Sequence, residues 1–264
     1  MTFESHRAAV RTPVAPLFAE PRVSSAQISQ LLAGRTVDLL ETRDDWYRIC
    51  GPDDYEGWVH RGYLAPAPQP TARRSSQLER LSLGCVTTDG RGGRRAMPLG
   101  AYLSPDERVK SGEIVDAAEQ AIRFPSEALA ITRSAQTYFE GTSYLWGGVT
   151  PWGADCSGLV QSVFVLHGVQ LRRDAWQQAE QGAPGESDPL LAKAADLLFF
   201  SDRIDERITH VAIALGGRSL VHLALGRGGY AVERLDDASD PYVAKLLDRF
   251  VTARRVLAPS RVCD

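Results

Sequence analysis

The sequence predicts an α+β domain preceded by two small all-β barrels. Three observations carry that expectation. Residues 36–64 alternate short apolar runs with polar turns, as closely spaced strands do. A stretch rich in Pro, Ser and Arg, "APAPQPTARRSSQ" at residues 65–77, shows no periodicity and separates two strand-rich segments. From Ser126 the apolar spacing turns helical, and strands return only after the helices.

In the first segment, "RTVDLLETRDDWYRIC" places Val37, Leu39, Trp46 and Ile49 around a polar turn at Thr42 to Asp45. "YEGWVHRGYL" follows a second turn at Gly51 to Asp54, and residues 8–68 are read as one barrel. The second barrel, residues 75–124, rests on "RLSLGCVTTDG", "RRAMPLGAYLSP" and "RVKSGEIVDAA", each read as a strand with its turn. The third domain spans residues 126–260. It opens on a helix with Ala128, Ile131, Ala135, Tyr138 and Phe139 on one face, stopped by Gly141. A Gly/Trp/Pro loop leads to a second helix carrying Leu159, Val160, Val163, Phe164 and Leu166, with Gly168 at its C′ position. "DLLFF" reads as a buried strand, "ITHVAIALGGRSLVHLALG" as two strands around a Gly-Gly turn, and "RFVTARRVL" as a last strand.

The 264 residues suffice for one large domain or two to three small ones, and 44% apolar with 24% charged residues matches a soluble globular chain. A net charge of −3 argues against a nucleic-acid partner, which calls for a basic surplus. The basic run "GRGGRR" reads as a solvated hairpin tip. No stretch approaches the eighteen or so apolar residues that span a bilayer, so no membrane partner is expected. "MTFESHRAAVRTPVAPLF" lacks the pattern of a secretory leader, so the expected location is the cytoplasm, or the periplasm or exterior if a leader was removed. The four cysteines, Cys50, Cys85, Cys156 and Cys263, form no CxxC pair, which fits a reducing compartment. Cys50, Cys85 and Cys263 read as small buried hydrophobes.

Cys156 reads differently. Asp155 is a good N-cap, which puts Cys156 in the first turn of the second helix. There the macrodipole and the unpaired N–H groups favour a thiolate and offer donors to an oxyanion. A nucleophilic thiol needs a base held on a rigid element. His6, His60 and His167 read as surface or packing residues. His210 and His222 lie on predicted strands, equidistant from Gly216. An odd-length turn centred there makes them cross-strand partners on one face, about 5 Å apart at Cβ, so that one imidazole orients the other. The alternatives are two ordinary strand histidines, or a Cys/His zinc site with only three candidate ligands.

Five blocks, "YLWGG…DCSGLVQ", "LRRDAWQQAEQG", "ADLLFF", "THVAIALG" and "LVHLALG", occur in the order found in the NlpC/P60 cysteine peptidases. Residues 126–260 resemble that papain-like family. The segments "SQLLAGRTVDLLETRDDWYRI" and "YEGWV" resemble bacterial SH3-like domains. The joint arrangement is similar to γ-D-glutamyl-L-diamino acid endopeptidases, which trim cell-wall peptides. The resemblance implies Cys156 as nucleophile, His210 as base and His222 as the third polar residue. It implies Tyr144 beside the oxyanion site and Asp155 with Ser157 at the substrate's free amino end. Tyr55 matches, more loosely, an SH3-domain residue that closes the same pocket. Ala26 in "SSAQISQ" stands where relatives often carry a glutamate facing that amine, so Asp155 is expected to bear most of that task. Ala195 stands where a glycine is common, a change read as harmless.

The resemblance implies no cofactor and no metal. The implied substrate is a murein peptide, L-Ala-γ-D-Glu-diamino acid, and the expected role is cell-wall peptide recycling. Two alternatives stay open: a wall-binding SH3-like protein with an inert peptidase domain, and an amidase or acyltransferase on the same fold.

Overall fold

A computed structural model describes residues 6–67, 80–90, 92–237 and 239–257. Most of the expected linker, the start of the expected second barrel and Cys263 lie outside the described residues. The chain divides into two compact units. Unit 1 comprises Met1–Arg123 with Trp146–Trp152, and unit 2 comprises Phe124–Leu145 with Gly153–Asp264.

In unit 1, strands β1 (Arg7–Val10), β2 (Val14–Phe18), β3 (Gln27–Leu32), β4 (Thr36–Arg43), β5 (Trp46–Cys50), β6 (Glu56–His60) and β7 (Leu64–Pro66) form one sheet. Their order is β3-β2-β6-β5-β4-β1-β7. Alternation sets the inner face. Tyr47 and Ile49 of β5 are buried with Ala8, Leu17, Val37 and Val59, while the residues between them are half-buried. Each aliphatic side chain removed from water contributes roughly 1.5–3 kcal/mol. The β4–β5 turn is tight because Asp44 adopts a left-handed φ of 50°, which Asp tolerates better than most residues.

Strands β8 (Arg80–Thr88), β9 (Arg94–Met97), β10 (Tyr102–Leu103) and β11 (Arg108–Asp116) form a second sheet, ordered β10-β8-β11 with β9 also paired to β8. The two sheets share a core. Leu32 and Ala33 share a core cluster with Cys85, Met97, Ala101 and Leu103, and the Tyr102 N–H donates to the Ala33 carbonyl at 2.9 Å. Where "RVKSGEIVDAA" predicts strand to its end, the chain turns into helix α1 (Ala117–Arg123). The run A-A-E-Q-A-I-R favours helix, and Phe124-Pro125 ends it.

Unit 2 begins with α2 (Ala128–Phe139), whose buried residues include Ile131, Ala135 and Phe139, and Gly141 follows at φ 76°. Strand β12 (Val149–Thr150) belongs to unit 1, and in unit 2 the short strand β13 (Gly153–Ala154) precedes α3 (Cys156–Leu166) and the short α4 (Ala175–Gln178). Then come β14 (Ala183–Pro184), β15 (Leu197–Phe200), β16 (His210–Gly216), β17 (Ser219–Ala224), β18 (Gly229–Arg234), α5 (Pro241–Leu247) and β19 (Phe250–Arg255). The sheet order is β14-β19-β15-β16-β17-β18. Helix α3 packs against α2, β16 and β17. A second cluster joins Leu198, Phe200, Ala212, Ala214 and Leu220 to Leu246 of α5. The strand β18 and helix α5 were not foreseen from the sequence.

Ala195 is a correction. It leads into β15, 2% exposed, at φ 64°. A left-handed alanine costs on the order of 1 kcal/mol against glycine, so the change is not harmless. Among the described residues no helix is long and apolar enough to cross a membrane.

Candidate active site

The candidate nucleophile's position is built locally. Asp155 caps α3 from an extended conformation, and its Oδ1 accepts the Gly158 N–H at 2.7 Å. Cys156 is therefore the first helical residue, 6% exposed, and its thiol receives hydrogen bonds from the Val211 and Ser157 backbone N–H groups. Those bonds lower its pKa, but burial and the Asp155 charge win and push it up to about 12. The N–H at the helix start thus acts in the expected direction, and burial outweighs it. The proton leaves only when a partner takes it.

The candidate partner is on β16. His210 is half-buried, and burial, then His222 and Arg249, hold its pKa down at about 3. Its Nε2 lies 2.9 Å from Nδ1 of the fully buried His222. Strand parity predicts the shared face correctly, but the register differs from expectation. The turn is the two-residue loop Gly217–Arg218, both at positive φ (58° and 65°), as a type I′ hairpin requires. With the bulge between Ala214 and Gly216, Ile213 pairs with Val221 and Ala214 with Leu220. Continued, that register sets His222 opposite Ala212, so the two histidines are diagonal neighbours rather than direct partners, and their rings still meet.

Tyr144 joins the same site. Its backbone runs beside Ala154, and its N–H donates to the Gly228 carbonyl at 3.0 Å. Gly229 permits this approach, because a Cβ there would lie 2.2 Å from the Thr142 carbonyl oxygen. Burial, then the negative forms of Cys156 and Asp155, raise the Tyr144 pKa, so the phenol keeps its proton and stays a donor.

Asp155 is more engaged than the sequence suggests. Arg173 donates to Oδ1 at 3.1 Å and to Oδ2 at 2.7 Å, and the Ser157 hydroxyl donates to Oδ1 at 3.2 Å. Arg173 is 1% exposed and also donates to Ser157 Oγ at 2.9 Å. The expected counter-ion for a substrate ammonium thus already has a buried cation on it. Arg173 lies within the motif "LRRDAWQQ", but nothing local in that string announces a partner eighteen residues back. Tyr55 belongs to unit 1, where it packs against the core of the first sheet. His167 proves to be a packing residue, 3% exposed, with Nδ1 at 2.6 Å from the Pro125 carbonyl and Nε2 at 2.9 Å from Ser134 Oγ. Among the described residues no group of three or more His, Cys, Asp or Glu is placed to hold a metal ion.

Both shifted groups of the reacting pair resist ionisation, which fixes a pH prediction. Below the ordinary histidine value of 6.5 the unfolded chain takes up a proton that folded His210 refuses until about pH 3, so acid removes stability. Above the ordinary thiol value of 9.0 the unfolded chain releases a proton that folded Cys156 keeps until about pH 12, so alkali removes stability too. Urea unfolding should show greatest stability between those ordinary values. The alkaline fall should shrink in Cys156→Ala; an unchanged alkaline limb in that variant would assign it elsewhere.

Comparison with known proteins places the chain among its relatives. Residues 141–250 match the NlpC/P60 family, and residues 17–64 match the bacterial dipeptidyl-peptidase Sh3 domain. Gamma-D-glutamyl-L-lysine dipeptidyl-peptidase of Bacillus subtilis (strain 168) is 41% identical over 220 residues, covering 74% of this chain and 71% of its own. Dipeptidyl-peptidase 6 of Lysinibacillus sphaericus is 26% identical over 262 residues, 87% of this chain and 92% of its own. The crystal structure of an NlpC/P60 family protein from Bacillus cereus ATCC 10987 superposes with a TM-score of 0.78 at 18% identity, over 96% of this chain and all of that one, and shows the fold.

Proposed function

The chain belongs to the NlpC/P60 family, and from that premise we propose that it hydrolyses the γ-D-Glu–diamino acid bond of short murein peptides with a free N-terminal L-Ala. It is a cysteine peptidase acting on peptidoglycan-derived peptides. The observation that carries the finer reading is the His210–His222 contact at 2.9 Å beside a thiol at a helix start. The names of two relatives, both dipeptidyl-peptidases, support the two-residue length before the cut. The same reading takes unit 2 as papain-like and the sheets of unit 1 as SH3-like barrels.

In this mechanism His210 takes the Cys156 proton as the sulfur attacks the γ-carbonyl of D-Glu. The oxyanion is held by the Cys156 backbone N–H and the Tyr144 hydroxyl, each such donor stabilising the barrier by on the order of 3 kcal/mol. His210 then protonates the leaving amine, and water, deprotonated by His210, releases the dipeptide. The inert wall-binding alternative gives no reason for Cys156, His210 and His222 to be retained together.

Because Asp155 is matched by Arg173, the substrate ammonium is selected by hydrogen bonds to Ser157 and Tyr144 together with Asp155, not by one unpaired carboxylate. A free amine exists on released peptides and not on intact wall, which suits recycling in the cytoplasm. The test compares L-Ala-γ-D-Glu-diaminopimelate with its N-acetylated form, following released dipeptide by mass spectrometry. We expect at least about a hundredfold preference for the free amine, the size of a lost charged hydrogen bond or two. Equal rates would mean a groove open at both ends.

A further inference from the structure

We propose that Glu233 is a positioning residue for the reacting pair: it keeps the His222 proton on Nε2 and thereby fixes which nitrogen of His210 meets the thiol. The proposal deepens the peptidase reading and rests on it for the identity of that pair. It starts from an anomaly. His222 is 0% exposed, and its Nε2 has no hydrogen-bond partner among the described residues. A buried ring nitrogen left this way is costly and calls for an explanation. The nearest acceptor is Glu233 Oε1 at 3.4 Å, a close ion-dipole contact that falls short of a good hydrogen bond.

Topology brings the three side chains into line. Leu220 pairs with Glu233 and His222 with Ala231, so Glu233 stands on the His222 face of the sheet, one diagonal step on. His210, His222 and Glu233 thus descend across β16, β17 and β18, one per strand. Glu233 is itself buried and clamped: Arg227 Nε and Nη2 donate to its two oxygens at 2.8 and 2.9 Å. Arg227 also bonds Asp240, the N-cap of α5, and its guanidinium lies 4.2 Å from the Tyr242 ring centre. Tyr242 closes on His222 edge-to-face at 6.1 Å between ring centres. Burial works against ionised Glu233, but the close contact of His222 and the bonds from Arg227 hold its carboxyl at about 2, so it is a carboxylate at neutral pH.

The tautomer logic follows. His210 uses Nε2 on His222, which leaves Nδ1 for the Cys156 proton. To accept there, His210 must carry its resting proton on Nε2 and donate it to His222 Nδ1. His222 is then protonated on Nε2 and needs a fixed acceptor, which Glu233 provides. Other charges face the pair, namely Arg249 near His210 and Asp155 and Arg173 near Cys156. None of them touches His222 Nε2.

The amide of Glu233→Gln would turn its oxygen to Arg227 and its NH2 to His222. That order puts the His222 proton on Nδ1 and leaves His210 in the wrong tautomer for a base. We expect carboxamidomethylation of Cys156 at pH 7, read by peptide mapping, to slow at least about tenfold in this variant. Its rise with pH should move by about one unit or more to alkali, and peptide hydrolysis should fall roughly 10²- to 10⁴-fold, as in tautomer-blocked triads. Glu233→Asp should recover part of each loss, and melting temperatures should not track them. A wild-type alkylation rate and pH profile in Glu233→Gln would overturn the proposal, as would losses that simply follow the melting temperature. In unaltered protein, ¹⁵N spectra of the histidines should show His222 protonated on Nε2 at pH 7, and protonation on Nδ1 would overturn the proposal without any variant. Alkylation and ¹⁵N shifts need no murein substrate, so failure of the substrate reading leaves this test intact.

Discussion

Cys156→Ala should abolish hydrolysis of L-Ala-γ-D-Glu-diaminopimelate while the protein stays folded. In the proposed mechanism the sulfur forms the bond to the substrate carbon, and among the described residues no other cysteine stands at this site. Cys50 and Cys85 belong to unit 1, and burial raises the pKa of both thiols. Loss of the nucleophile from a triad costs on the order of 10⁶-fold in kcat. Packing changes little, since one buried atom is removed at the first residue of α3, so a stability loss of about 1 kcal/mol is expected. The comparison needs released dipeptide by mass spectrometry alongside thermal melting. A folded variant that retains a tenth of the activity would remove Cys156 from the chemistry.

His210→Ala should be the second largest loss, on the order of 10⁵-fold or more, and His222→Ala smaller, roughly 10²- to 10⁴-fold. The order follows from geometry. In the proposed mechanism His210 transfers the protons, and His222 acts through it across the 2.9 Å contact. The two also differ in stability. His222 is fully buried, so its truncation leaves a cavity beside Glu233, whereas His210 is half-buried. Single-turnover rates on folded protein separate the two effects. Equal losses, accompanied by zinc bound in the wild type and lost in both variants, would assign these residues to a metal site instead.

What the sequence discloses about this site depends on distance along the chain. The Asp155–Cys156 helix start is legible because N-cap chemistry acts within three residues, and the Gly158 N–H bond bears it out. The shared face of His210 and His222 is legible from strand parity, but their register is not, since the bulge before Gly216 leaves no mark in the letters. Arg173 and Glu233 escape notice because their partners are far away in sequence. Glu233 also sits in "GYAVER", which has too few apolar residues to stand out as a strand. Helices α1 and α5, at seven residues each, are likewise short for periodicity to reveal. The helix terminus at Cys156 is legible, but the burial that outweighs it is not, because burial is a property of the folded chain.

The Gly217–Arg218 loop has a consequence for library design. It carries no reacting group, yet its length sets the phase of β17 against β16. Adding or deleting one residue there turns His222 to the other side of the sheet unless the bulge absorbs the change. Adding two keeps the side but slides the ring away from His210. Surface turns are where insertions are ordinarily tolerated. In this hairpin a codon gained or lost acts as an active-site mutation, while substitutions that keep two left-handed residues leave the catalytic frame untouched.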